Sequence, residues 1–198
     1  NFKETDLIYP YFVIDGIDKK IKIKSFPGIF RYSIDRLLKE IGAAKALGLN
    51  RILLFGVPSA KDKTGRSAYK DNSIVSNSVR EIKRKFPGLV VMTDVCLCAY
   101  TDHGHCGILR RGGRGIEQKA TLEALSKMAL SHAEAGSDWV APSAMAKRQV
   151  SAIRNALDKN GYEQTKIMGY SAKFASNFYG PFRNAADSAP RSGDRSGY

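Results

Sequence analysis

Short β-branched runs alternate with longer amphipathic stretches along this chain, and no other feature narrows its fold as much. The runs Tyr9 to Ile14, Arg51 to Val57, Leu89 to Cys96, Trp139 to Ser143 and Lys166 to Ser171 read as strands. They are nearly continuous in apolar character, which fits strands buried on both faces of a parallel sheet. Between them the period changes to that of a helix. Ile34, Leu37, Leu38 and Ile41 recur at i, i+3, i+4 and i+7 behind a capping Ser33 and ahead of Gly48. Val75, Val79, Ile82 and Phe86 repeat that pattern before Pro87-Gly88, Leu122, Leu125, Ala129 and Ala133 run down to Gly136, and Val150, Ile153 and Leu157 run down to Gly161. A fifth helix is expected to start near Asn177.

Strands separated by single helices suit either a doubly wound sheet or a (β/α)8 barrel. The G-x-G-x-x-G of a dinucleotide-binding fold is missing after the first strand. Polar and reactive residues stand just past several strand ends instead: Lys61-Asp62, Asp94 with the cysteines, Ser143 and Lys173. Convergence of many strand ends on one mouth is the barrel's arrangement, so the expected fold is an α/β, TIM-type barrel covering roughly the first five βα units. Five strands do not close an eight-stranded barrel, whose usual length is about 250 residues. The whole of 1–198 is read as one partial barrel domain, with 1–8 as the remnant of an N-terminal arm and the C-terminal part of the barrel expected to be missing.

The formal charge of +13 on 198 residues raises the question of a polyanionic partner. The basic residues are scattered, and no nucleic-acid-binding motif accompanies them, so no nucleic acid is expected as partner. Arg110-Arg111 with Arg114 differs from the other basic clusters: it follows the cysteines in a Gly-rich stretch, and lining a pocket for a carboxylate or phosphate competes there with a solvated surface. No run approaches the roughly 18 to 20 apolar residues of a membrane span, and no signal-peptide pattern opens the chain, so it is read as soluble and cytoplasmic, with no membrane partner.

Cys96, Cys98 and Cys106 fall within eleven residues in the stretch Asp94 to Gly107. An odd number of cysteines without a secretory signal argues against a disulfide framework. Three thiolates at C-x-C-x7-C spacing, on a loop leaving a strand, can meet at a tetrahedral ion and leave its fourth position open, the plan of a catalytic zinc site. Three reduced, buried thiols are the alternative. His103 and His105 are either orienters or ligands. Lys173 sits among small and aromatic residues beyond a strand, where apolar surroundings favour the neutral amine that forms imines with ketones; a solvated surface lysine is the bland reading. Tyr179, Phe182 and Arg183 follow, then Arg195, and two guanidinium forks there suit a substrate carboxylate or structural ion pairs.

Taken together these residues resemble the porphobilinogen synthase (5-aminolevulinate dehydratase) family nearly end to end. The resemblance rests on Leu7 to Val13, Pro27-Gly28-Ile29 with Arg31, Phe55 to Pro58 with Lys61-Asp62, Asp94 to Gly107, Ala141-Pro142-Ser143, Tyr170 to Ser176, Phe178 to Arg183 and Gly193-Asp194-Arg195. It implies a homo-octamer of TIM barrels that condenses two molecules of 5-aminolevulinate into porphobilinogen, each through a Schiff base on its own lysine. On that resemblance Lys173 is one of the two lysines and Asp94 an acid near the substrate amine. Cys96, Cys98 and Cys106 become the zinc ligands, and Arg183 and Arg195 hold one substrate's carboxylate. Tyr179, Phe182 and Ser143 are expected to line the same subsite. In the family the second lysine, and a Ser and Tyr for the other carboxylate, lie beyond the position of Tyr198, and an allosteric Mg2+ site is supported by nothing within this chain. Where the family reads A-P-S-D-M-M-D-G-R, this chain has Ala144, Lys147 and Arg148 at two acids and the glycine. The competing expectation is a non-catalytic or engineered partial barrel that keeps zinc and ligand binding.

Overall fold

The structure, a computed structural model, describes residues 6–112, 115–174, 176–191 and 193. Strand β1 (Tyr9–Ile14) is followed by two short strands, β2 (Lys20–Lys22) and β3 (Phe30–Tyr32), and by helix α1 (Ile34–Ala46). The regular alternation then sets in: β4 (Arg51–Val57), α2 (Ile74–Lys85), β5 (Val90–Val95), α3 (Gln118–Glu134), β6 (Trp139–Pro142), α4 (Gln149–Lys159), β7 (Lys166–Ile167) and α5 (Tyr179–Ala186). The sheet order is β2-β3-β1-β4-β5-β6-β7, and every pairing from β3 to β7 is parallel. The main strands thus succeed one another in chain order without a reversal. A doubly wound sheet needs such a reversal, so this order is that of a barrel laid down one βα unit at a time.

Side-chain alternation explains why the strands read as continuously apolar. In β1, Tyr11 and Val13 pack with Leu37, Ile41, Val75 and Val79 of the helix layer, while Phe12 and Ile14 join a second cluster on the opposite face. β4 divides the same way, Ile52 and Leu54 towards the helices and Leu53, Phe55 and Val57 to the other face. Each fully buried Leu or Ile contributes about 1.5–3 kcal/mol relative to exposure, so a one-residue register slip in either strand would be heavily penalised.

Several local expectations are refined. Ser33 stands at the N-cap of α1, but its hydroxyl donates to Asp35 and accepts from the Lys19 amide rather than capping the helix. β7 ends at Ile167, short of Ser171, although the amides of Met168 and Tyr170 still donate to the carbonyls of Val140 and Pro142. Among the described residues no helix is long and apolar enough to cross a membrane.

Candidate active site and metal centre

Asp94 is the last residue but one of β5, and Cys96 follows two positions on, so strand alternation sends both side chains to the same face. Beyond Val95 the chain turns tightly: the amides of Tyr100 and Thr101 both donate to Leu97 O at 2.9 Å, which swings Cys98 back until its Sγ is 3.4 Å from that of Cys96. A return loop then delivers Cys106. Its hinge is Gly104 at φ +74°, in the left-handed region, where a Cβ would lie 2.3 Å from Ala189 O. Glycine is needed there both for the backbone angle and for the close approach. Thr101 Oγ1 donates to His105 O at 3.0 Å and fastens the loop's base.

The three Sγ atoms lie within 4.8 Å of one another and all three residues are buried. Tetrahedral zinc with Zn–S near 2.3 Å requires S···S of about 3.8 Å, so small rotations suffice to seat an ion. The donor chemistry points the same way: Cys106 and Cys98, hydrogen-bonded to Cys96, together with burial push its thiol well above its ordinary value. Three buried sulfurs cannot all become thiolates without a cation among them. The cluster could therefore hold a metal, and among the described residues its donors are the cysteines alone. His103 is engaged elsewhere, its Nε2 3.2 Å from Lys63 O and its Nδ1 accepting from the His105 amide at 3.1 Å.

Beside the thiols, Ser143 joins the carboxylate to the lysine. Its hydroxyl donates to Asp94 Oδ1 at 2.5 Å, and its carbonyl accepts from Lys173 Nζ at 2.5 Å. Burial pushes the Asp94 carboxyl up to about 7, with Cys98 adding to the rise while the Ser143 hydroxyl and the Lys173 charge oppose it. Lys173 Nζ also lies 5.9 Å from the centre of the Tyr179 ring. Phe182 packs against Phe55 and Phe12 at ring distances of 5.3 and 6.1 Å, and the neighbouring Arg183 has a buried Nε without a protein partner among the described residues. Arg195 lies outside the described residues, as do 1–5 of the expected arm.

Lys61 and Asp62, read from the sequence with the other strand-end residues, have different work. Asp62 accepts from Thr64 and Arg66 and closes its own loop, and Lys61 pairs with Asp187 at 2.5 Å. That pair fastens α5, which carries Tyr179, Phe182 and Arg183. Two more ties come from Ser25 Oγ to Pro181 O at 2.9 Å and Arg31 Nε to Ala185 O at 2.7 Å. Tyr170, named in the sequence only within the stretch Tyr170 to Ser176, stands near the same groups: desolvation holds its hydroxyl well above its ordinary value, with Asp94, Tyr179 and Cys96 adding to it.

A sequence profile of delta-aminolevulinic acid dehydratase matches residues 1–198, the entire chain. The chain belongs to the delta-aminolevulinic acid dehydratase family. The dehydratase of Methanothermus sociabilis is 55% identical over 193 residues, and that of Bacillus subtilis 45% identical over 194; each match covers 98% of this chain and 59% of the relative. Among dehydratase structures, that of Toxoplasma gondii ME49 in complex with the reaction product porphobilinogen superposes with a TM-score of 0.96 at 37% identity, over 100% of this chain and 57% of that one. The chain thus spans somewhat under two thirds of the length of the dehydratases it matches, and the fold is the corresponding part of their TIM barrel.

Proposed function

We propose that this chain forms the part of a porphobilinogen synthase that binds one of two 5-aminolevulinate molecules as a Schiff base on Lys173, beside a zinc ion on Cys96, Cys98 and Cys106. The observation that carries the reading is the direct link Lys173–Ser143–Asp94 immediately next to the three-thiol cluster. In the first step Lys173 gives its ammonium proton to Asp94 and the freed amine adds to the ketone carbon, forming a C–N bond while the C=O π bond opens and one N–H proton moves to the oxygen to give a carbinolamine. The carbinolamine then loses its hydroxyl as water, and the nitrogen's remaining proton stays on the iminium. Asp94, poised near neutrality by burial, suits both proton movements: it accepts the ammonium proton before the amine attacks and returns it to the departing hydroxyl. Arg183 and Arg195 would bind the substrate carboxylate through paired hydrogen bonds, with Phe182, Tyr179 and Ser143 shaping the subsite.

Three thiolate donors with a fourth position open favour Zn2+, and the ion would supply Lewis acidity beside the ketone. The second substrate, the second lysine and the closing strands belong to the rest of the barrel in this reading. A homo-octamer in the cytoplasm is the assembly it takes from the family. Porphobilinogen production by the full-length protein, compared with its Lys173→Ala variant, tests the proposal. Loss of product with substrate-independent folding intact is expected; an undiminished rate in the variant would refute the role of Lys173.

A further inference from the structure

A second concave site shares no residue with the one above. Arg110 and residues 115–117 after the cysteine loop, the start of α3 and the turn between β6 and α4 line a cavity of about 770 Å3. Arg110, Lys119, Lys147 and Arg148 line it, with Glu117 as its sole acid among the described residues. That carboxylate is already spent, accepting from the amides of Lys119 and Ala120 at the start of α3. None of the four cations forms an ion pair with a described residue.

The rim is built rather than loose. Arg110 Nε donates to Ile116 O at 3.1 Å, which fixes one guanidinium, and Gln118 Nε2 donates to Lys147 O at 2.5 Å, which ties the two walls together. Arg148 holds φ 61°, ψ 16°, a left-handed backbone that strains a side-chain-bearing residue.

We infer that this cavity is a binding site for a small polyphosphate-bearing molecule. Four cations without an ion-pair partner among the described residues, around one concavity, match a compact ligand of several negative charges, and guanidinium forks pair with phosphoryl oxygens two at a time. The volume falls in the range of small-molecule sites, roughly 300–1,000 Å3, and its concavity does not suit a duplex backbone.

Inorganic pyrophosphate is the probe, titrated calorimetrically into the full-length protein and into its Lys147→Ala/Arg148→Gly double variant. Glycine relieves the left-handed backbone, so the variant is expected to melt no lower than the parent, and weaker binding cannot be ascribed to unfolding. The expected result is saturable binding of one pyrophosphate per chain, weakened at least about tenfold in the variant and at least about tenfold tighter than sulfate. Absence of saturable binding to the parent overturns the inference. Equal affinity in the variant, as chelation at the thiols would give, overturns it too, as does sulfate binding as tightly as pyrophosphate.

Discussion

Gly56, in the middle of the sheet, is the position at which one added methyl group has the most calculable effect on the cysteine loop. A Cβ there would lie 2.2 Å from Tyr100 Oη, 2.6 Å from Val75 Cγ2 and 3.2 Å from Tyr100 Cζ. Ordinary contacts are 3.4–4 Å, so the hydroxyl must retreat by more than an ångström. Tyr100 is fully buried and belongs to the turn that carries Cys98, which leaves it no free direction. Overpacking of this kind costs about 1–3 kcal/mol, against which alanine recovers roughly 0.5–1 kcal/mol of glycine's conformational penalty in a strand. Gly56→Ala is therefore expected to lose about 1–2 kcal/mol net, read as a lower urea midpoint with an unchanged slope. The Tyr100 hydroxyl has no protein partner among the described residues, so Tyr100→Phe alone should be neutral or stabilising. Placed in the Gly56→Ala background it removes the worst overlap and should restore part of the loss. Full stability in Gly56→Ala, or strict additivity of the two changes, would refute the packing argument.

Other perturbations have equally definite outcomes. Cys96→Ala should reduce zinc retained after dialysis from about one ion per chain to almost none, because two sulfurs do not hold a structural or catalytic ion; unchanged zinc by metal analysis would place the ion elsewhere. Burial pushes His132 down to about 3, and neither ring nitrogen has a protein partner among the described residues. The unfolded chain takes up that proton below about pH 6.5 and the folded one does not, so this contribution is intact above about 6.5 and falls by about 1.4 kcal/mol per pH unit below it. His132→Leu should flatten the decline in urea midpoint between about pH 6 and 4, and an identical slope would contradict that origin. Arg148→Gly alone should raise stability by roughly 0.5–1 kcal/mol by releasing the left-handed backbone; a lower midpoint would show that the arginine's contacts outweigh its strain.

The parts of the fold that could be read from sequence are those where periodicity and burial agree. β1 and β4 begin and end at the predicted residues because both faces of each are filled. β2 and β3, three residues each, are too short to carry a period, and β2 is exposed throughout. In the site, the cysteine spacing sufficed to bring three sulfurs together, since a single turn and a glycine hinge do the work locally. Ser143 was legible as a strand-end residue and, by resemblance, as part of the subsite, but not its bond to Asp94, which spans 49 positions. The ties that fasten α5, Lys61 to Asp187 and Arg31 to Ala185, span 126 and 154 positions and leave no local trace. The basic stretch at Arg110 did hint at an anion pocket, but only folding supplies Lys119, Lys147 and Arg148 as the other walls.

The most direct measurement is borohydride trapping of the full-length protein with 5-aminolevulinate, with peptide mapping of the adduct and porphobilinogen assayed in the same reaction. A reduced adduct on Lys173 together with product is the expected result. Product without any adduct on Lys173 would contradict the account, as would the absence of both in zinc-loaded protein.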